Sequence, residues 1–152
     1  MRSLNKMIKA VIFDWVGTLY QFGGMGLFSY SEKVLQELRP RYKLAVISKA
    51  DSDNVKNRLK QINSIKNYFN VIIADIDKTP AQYIECMKKL KVKPKNVLVV
   101  DDRMDRGIQI GNKLGCKTAW IKNGKYSDMV PNEETGQPTY IINSVEDLLT
   151  IL

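Results

Sequence analysis

Four places in the chain carry side chains able to handle a phosphoryl group, and each follows an apolar run short enough to be a buried strand. Asp14 closes the run from Ile8 to Phe13 and precedes the turn Trp15-Val16-Gly17-Thr18. Ser48, followed by Lys49, closes Lys43-Leu44-Ala45-Val46-Ile47. The turn Asp77-Lys78 follows Val71-Ile72-Ile73-Ala74, and Asp101-Asp102 follow Val97-Leu98-Val99-Val100. A hard divalent cation such as Mg²⁺ prefers oxygen ligands and keeps some of its waters, so Asp14 with Asp102 or Asp101 could hold one. A hydroxyl at position 48 and an ammonium at position 78 could bind phosphoryl oxygens and offset the charge that develops on them. Taken singly, each residue has a plain structural alternative, such as a loop acid capping a turn or a surface lysine.

The elements between these residues decide whether they meet. A helix is expected from about Ser31 to Leu38, with Ser29 or Ser31 as its cap and Pro40 beyond its end. A second has Asp51 or Ser52 as cap and Val55, Leu59 and Ile62 inward, with lysines and Arg58 on a solvated face. A third opens on Thr79 with Pro80 in its first turn and buries Tyr83, Ile84, Met87 and Leu90. A fourth carries Ile108, Ile110 and Leu114 and stops at Gly115. Lys117 to Ile121 reads as a fifth strand, and Lys122 to Pro138 as a loop. Tyr140 to Ile142 reads as an edge strand, and Ser144-Val145-Glu146-Asp147 as the start of a short helix.

Strands alternating with helices predict a three-layer, Rossmann-like α/β fold: a mostly parallel sheet with helices on both faces. Parallel strands all point the same way, so Asp14, Ser48, Lys78 and Asp101-Asp102 gather at one edge, where open α/β sheets bind ligands. The intervals from Asp14 to Ser48 and from Ser48 to Lys78 leave no room for an inserted cap domain.

Length and composition fit one domain spanning 1–152, with 44% hydrophobic residues. The chain has no histidine, which excludes His-assisted nucleophiles and His-ligated zinc. Cys86 and Cys116 form no C-x-x-C pair and read as buried small apolar residues. Residues Met1 to Met7 lack an apolar targeting region, and no stretch approaches the ~18 apolar residues of a membrane helix. A cytoplasmic protein without membrane association is expected. A net charge of +8 favours anionic partners, nucleic acid among them. However, the lysine-rich run Lys88 to Lys95 precedes its strand and so lies at the edge opposite the carboxylates. Lys49, Arg103 and Arg106 are better placed to meet an anion.

In order, Phe13-Asp14-Trp15-Val16-Gly17-Thr18, Val46-Ile47-Ser48, Lys78-Thr79-Pro80 and Val99-Val100-Asp101-Asp102-Arg103 resemble the four motifs of the haloacid dehalogenase-like (HAD) superfamily. The resemblance runs from about Ile8 to Ile121 and implies the capless form of that fold, with Asp14 on the central strand. It implies Asp14 as a catalytic nucleophile forming an aspartyl-phosphate, Ser48 as the hydroxyl that binds phosphate, and Lys78 as the catalytic lysine that steadies the intermediate and binds phosphate; Thr18 and Lys49 stand beside them as further phosphate-binding candidates. It also implies Mg²⁺ held by Asp14, the Val16 carbonyl and Asp102, with Asp101 where the family often has glycine. For the second acid of the last motif, Asp105 is one candidate, while the loop length to Gly115 favours position 107, which is glycine. Val16 departs from the family's phosphatases, which usually place there an aspartate that protonates the leaving group. The implied function is a Mg²⁺-dependent phosphatase acting on a phosphorylated small molecule or an exposed phosphorylated macromolecule, possible also as a homo-oligomer. The alternative is a module that binds Mg²⁺ and a phosphorylated ligand without turnover.

Overall fold

The strand before Asp14, β1 (Ala10–Phe13), is buried along its whole length, as a strand covered on both faces must be. The computed structural model describes residues 7–152; of the amino-terminal segment discussed above, residues 1–6 lie outside the described part. The remaining elements are α1 (Ser31–Leu38), β2 (Lys43–Lys49), α2 (Val55–Asn63), β3 (Val71–Asp75), α3 (Pro80–Leu90), β4 (Val97–Asp101), α4 (Gln109–Leu114), β5 (Lys117–Ile121), β6 (Tyr140–Ile142) and α5 (Leu148–Ile151).

The strands form one sheet in the order β3-β2-β1-β4-β5-β6, and every neighbouring pair is parallel. The chain moves outward from β1 through β2 to β3, then returns to place β4 on the other flank of β1. That reversal opens a crevice at the carboxyl ends of β1 and β4, the place where such sheets receive ligands.

Alternation along the strands divides the core into two layers. Val11, Phe13, Leu44, Val46, Leu98 and Val100 pack with Val34, Leu35 and Leu38 of α1, Ile62 of α2 and Leu148 of α5. Ala10, Ile12, Ala45, Ile47, Val97 and Val99 pack against Tyr83, Cys86, Met87 and Leu90 of α3 and Ile110 of α4. Helices therefore cover both faces, and no cap domain stands among the described residues. Cys86 and Cys116 are buried and unpaired, and burial pushes each thiol up to about 12. No described helix is long and apolar enough to cross a membrane.

Some local expectations change. Neither Ser29 nor Ser31 caps α1; Tyr30 holds that position, and the Ser31 hydroxyl instead donates to the Leu19 carbonyl at 2.7 Å. That bond ties α1 to the turn after β1. Asp51 opens a short 3-10 turn ahead of α2 without a side-chain cap bond. Thr79 does begin α3: its N–H and hydroxyl both donate to Gln82 Oε1, at 2.9 and 2.6 Å. Between β4 and α4 the chain makes a π-type turn, Met104–Ile108, rather than a plain helical start.

Leu35 is fully buried between α1 and the sheet. Leu35→Ala should cost about 2–5 kcal/mol of unfolding free energy, read from urea denaturation; a loss below about 1 kcal/mol would contradict this packing.

Candidate functional site

Asp14 is the first residue past β1, and its N–H donates to the Val100 carbonyl at 3.0 Å, which pins it between β1 and β4. The chain then turns sharply, with the Trp15 carbonyl accepting N–H bonds from Thr18, Leu19 and Tyr20 at 3.2, 2.9 and 3.0 Å. Gly17 sits in this turn at φ +86°, a conformation that favours glycine. The Thr18 hydroxyl donates to Asp14 Oδ2 at 3.2 Å.

Asp101 and Asp102 arrive from the neighbouring strand end, and one oxygen from each of Asp14, Asp101 and Asp102 lies within 4.8 Å of the others. Lys78 reaches in from the turn before α3. Its buried Nζ stands 2.8 Å from Asp14 Oδ1 and 3.2 Å from Asp101 Oδ2. The start of α3 is anchored by Gln82, whose Nε2 also donates to Asp75 Oδ2 at the end of β3, 3.2 Å away. Asp101 accepts two further bonds, from the N–H groups of Arg103 at 3.1 Å and Gly107 at 2.9 Å.

The electrostatics are unbalanced, because one ammonium faces three carboxylates. Burial alone would raise the Asp101 pKa, but Lys78 and the hydrogen bonds it accepts bring it below the usual value. Burial would lower Lys78, yet Asp101 and Asp14 hold it well above its ordinary range. Asp14 is raised, by burial first and then by Asp101. Asp102 is pushed up to about 9, by burial and then by Asp14 and Asp101.

Asp102 Oδ2 is buried and has no hydrogen-bond partner among the described residues. Leaving such a group unsatisfied is costly, so the site is short of one positive partner. Gly17 leaves it room: a Cβ there would overlap Asp102 Oδ2 and approach Asp102 Cγ to 2.8 Å. A cluster of oxygen donors without nitrogen or sulfur suits a hard cation such as Mg²⁺. The Val16 carbonyl accepts no backbone hydrogen bond among the described residues, and Val16 lines the cavity beside Asp14.

Asp14, Lys78, Asp101 and Asp102 are therefore brought together. Thr18, expected to face phosphate, has its hydroxyl engaged with Asp14. Ser48 is buried at the end of β2, where its Oγ accepts from Arg58, and Arg58 also donates to the Lys49 carbonyl at 2.9 Å. Arg58 is thus not one of the solvated charges; it lines the cavity with Asp14, Val16, Lys49 and Arg106. Its place in the early part of α2, just past the end of β2, was the available signal. Asp105 lies outside the trio. It grips Arg103 Nε and Nη2 at 2.9 and 2.8 Å, so that guanidinium is already committed.

Two aromatic residues outside the sequence motifs also reach the site. Tyr126, from the 122–138 loop, lies under the Arg103 guanidinium at 4.5 Å, and its ring centroid is 6.1 Å from that of Phe22. Both help to wall a cavity of about 180 Å³ above the carboxylates. Aromatic residues in glycine-rich loops carry no periodicity, so nothing in the sequence tied them to the site.

The profile of the haloacid dehalogenase-like hydrolase family matches residues 2–121. The chain is 28% identical to a glyceraldehyde 3-phosphate phosphatase of Methanopyrus kandleri, over 97% of this chain and 64% of that protein. It is 27% identical to the human N-acylneuraminate-9-phosphatase, over 97% of this chain and 60% of that protein. The chain thus spans less than two thirds of the length of these curated relatives. A Bacillus subtilis HAD hydrolase solved with bound magnesium shares the fold, with a TM-score of 0.68 and 21% identity over 85% of this chain and 57% of that one.

The raised Asp102 pKa sets a pH dependence for the cation-free protein. From about pH 4 to about pH 9 the folded state holds a proton that the unfolded state has released, so stability falls as pH rises. Urea denaturation in chelator should show lower stability at about pH 8 than at about pH 5.5, by at most ~1.4 kcal/mol per pH unit, and Mg²⁺ should flatten the trend. Stability rising with pH in chelator would contradict the assignment.

Proposed function

Because the chain belongs to the haloacid dehalogenase-like hydrolase family, we propose that it is a Mg²⁺-dependent phosphomonoester hydrolase working through Asp14. The observation that carries this reading is the buried Lys78 spanning Asp14 and Asp101 beside an Asp102 oxygen that has no partner. Asp14, Asp102, Asp101 and the Val16 carbonyl would hold the cation. When bound, it supplies positive charge against which phosphoryl oxygens and carboxylates can approach one another.

The chain's own residues carry the steps. An Asp14 carboxylate oxygen attacks phosphorus, the new O–P bond forms as the ester P–O bond breaks, and the alcohol oxygen leaves with the electron pair and takes up a proton from solvent water. Lys78 offsets charge on the transferred group and keeps Asp14 oriented. Thr18 fixes the other Asp14 oxygen. Water then attacks the phosphorus of the aspartyl-phosphate, releasing inorganic phosphate and restoring the carboxylate. Ser48, with Arg58 bonded to its hydroxyl, and the nearby Lys49 and Arg106 favour an anionic substrate. The relatives named for phosphatases of phosphorylated small molecules support that substrate class.

Val16 cannot donate a proton to the leaving oxygen or take one from water. General acid–base help is typically worth about 10²–10⁴-fold, or roughly 3–5 kcal/mol of barrier. Esters with good leaving groups depend on it least. The same residue supports the second reading, a module that binds Mg²⁺ and a phosphorylated ligand without turnover.

With Mg²⁺, an aryl phosphate should be hydrolysed, and Asp14→Asn should abolish that activity. Val16→Asp should raise turnover of alkyl phosphates about 10-fold or more, and that of aryl phosphates less. If wild type and Val16→Asp are both inert across a broad phosphate panel yet bind Mg²⁺ and inorganic phosphate, the binding-module reading replaces this one.

A further inference from the structure

The lysine-rich run from Lys88 to Lys95 takes no part in the carboxylate site. It leads from the carboxyl end of α3 to the amino end of β4, at the edge of the sheet opposite Asp14. The same edge carries a second group of cations. Lys9, Arg39, Arg41 and Lys43 line a cavity of about 380 Å³ between the end of α1 and the starts of β1 and β2, with no carboxylate in its wall. Lys88, Lys91 and Lys93 line another cavity of about 300 Å³, again without a carboxylate. Hydrogen bonds join the two groups. The Lys43 N–H donates to the Lys9 carbonyl at 3.0 Å and the Lys9 N–H to the Asn96 carbonyl at 2.8 Å, while Lys43 Nζ donates to the carbonyl of Leu90, next to Lys91, at 2.7 Å. These cations and Lys95 are exposed, and none of them forms an ion pair among the described residues; on this run only Lys89 does, with Glu85 at 3.2 Å. Helix dipoles account for Arg39, Lys88 and Lys91, which stand in or just past the last turns of α1 and α3. They do not account for Lys9, Arg41, Lys43, Lys93 and Lys95, which lie outside those turns.

Like charges gathered on one face repel, so this edge suits a partner that brings many negative charges at once. Two observations favour the phosphates of a nucleic-acid duplex. Phe22 is the one exposed aromatic ring among the described residues, and it lies at the other edge, above the carboxylates. The basic edge therefore offers neither the stacking platform of a single-strand site nor the aromatic anchors of a membrane surface. Its side-chain amides are turned to the main chain: Asn70 Oδ1 accepts the Leu44 N–H at 3.0 Å, and Asn96 Nδ2 donates to the Met7 carbonyl at 2.6 Å. The donors left are cations, which grip phosphates and carry no sequence information. We propose that the edge formed by the starts of β1, β2 and β4 and the ends of α1 and α3 binds double-stranded nucleic acid through its phosphates, without sequence preference. The surface lies across the sheet from Asp14 and does not depend on the cation reading above.

Fluorescence anisotropy with labelled DNA and RNA duplexes of about 20 base pairs tests this, with a Kd of about 10 µM or tighter expected at about 50 mM salt. The slope of log affinity against log salt should be about −4 or steeper, as neutralising about five phosphates requires. Lys9→Gln/Lys93→Gln/Lys95→Gln should weaken binding about 10-fold or more and make the slope shallower by about 3. Lys33→Gln/Lys56→Gln/Lys122→Gln removes the same charge away from this edge and should change affinity less than about threefold. Both variants replace exposed side chains and should keep Tm within about 4 °C of wild type. Binding to either duplex with that contrast between the variants upholds the proposal, and the ratio of the two affinities identifies the nucleic acid. No binding by the wild type, a slope shallower than about −2, or equal weakening by the two variants overturns it. Retention on phosphatidylserine vesicles without binding to either duplex overturns it in favour of an anionic lipid surface.

Discussion

One ammonium set among three carboxylates within 4.8 Å is the constraint around which the rest of the molecule is arranged. Like charges brought that close out of water repel strongly unless a proton or a cation intervenes. Lys78 satisfies Asp14 and Asp101 but leaves Asp102 with a buried oxygen that nothing among the described residues meets. Protonation of Asp102 or a bound divalent ion would each close the deficit. The absence of nitrogen and sulfur ligands favours an oxygen-seeking ion.

The sheet makes this crowding possible without regard to local preference. β1 and β4 run parallel at the centre, so Asp14 and Asp101 leave neighbouring strands side by side, with the Asp14 N–H held by Val100. Parallel order also brings β2 and β3 to the same edge, which delivers Ser48 and the turn carrying Lys78. Close backbone approach does the rest. Gly17 admits Asp102, Gly107 admits Asp101, and Gly111 lets α4 lie against Val99 and Thr118. Above the carboxylates, Phe22 and Tyr126 narrow an opening that no inserted domain among the described residues covers.

Much of this arrangement was legible in the sequence because it depends on regular features. Short β-branched runs ended at Asp14, Ser48 and Asp101, and their alternation with helices required a parallel sheet whose ends share an edge. The family likeness then selected Asp14, Lys78 and Asp102 from the acids and lysines of those turns. Arg58 escaped because a basic residue on a polar helix face gives the same pattern whether it meets water or a strand-end hydroxyl. Arg103 appeared available because its pairing with Asp105 and Tyr126 depends on local side-chain geometry and on a distant loop. The pairing of Asp101 with Gly107 is a steric relation, which composition and periodicity do not encode.

The cation reading has its most direct test in electron paramagnetic resonance of the protein titrated with Mn²⁺, an oxygen-seeking ion that can stand in for Mg²⁺. The account predicts one bound ion per chain in the wild type and its loss in Asp102→Asn. No bound Mn²⁺ in the wild type, or an undiminished signal in Asp102→Asn, would contradict it.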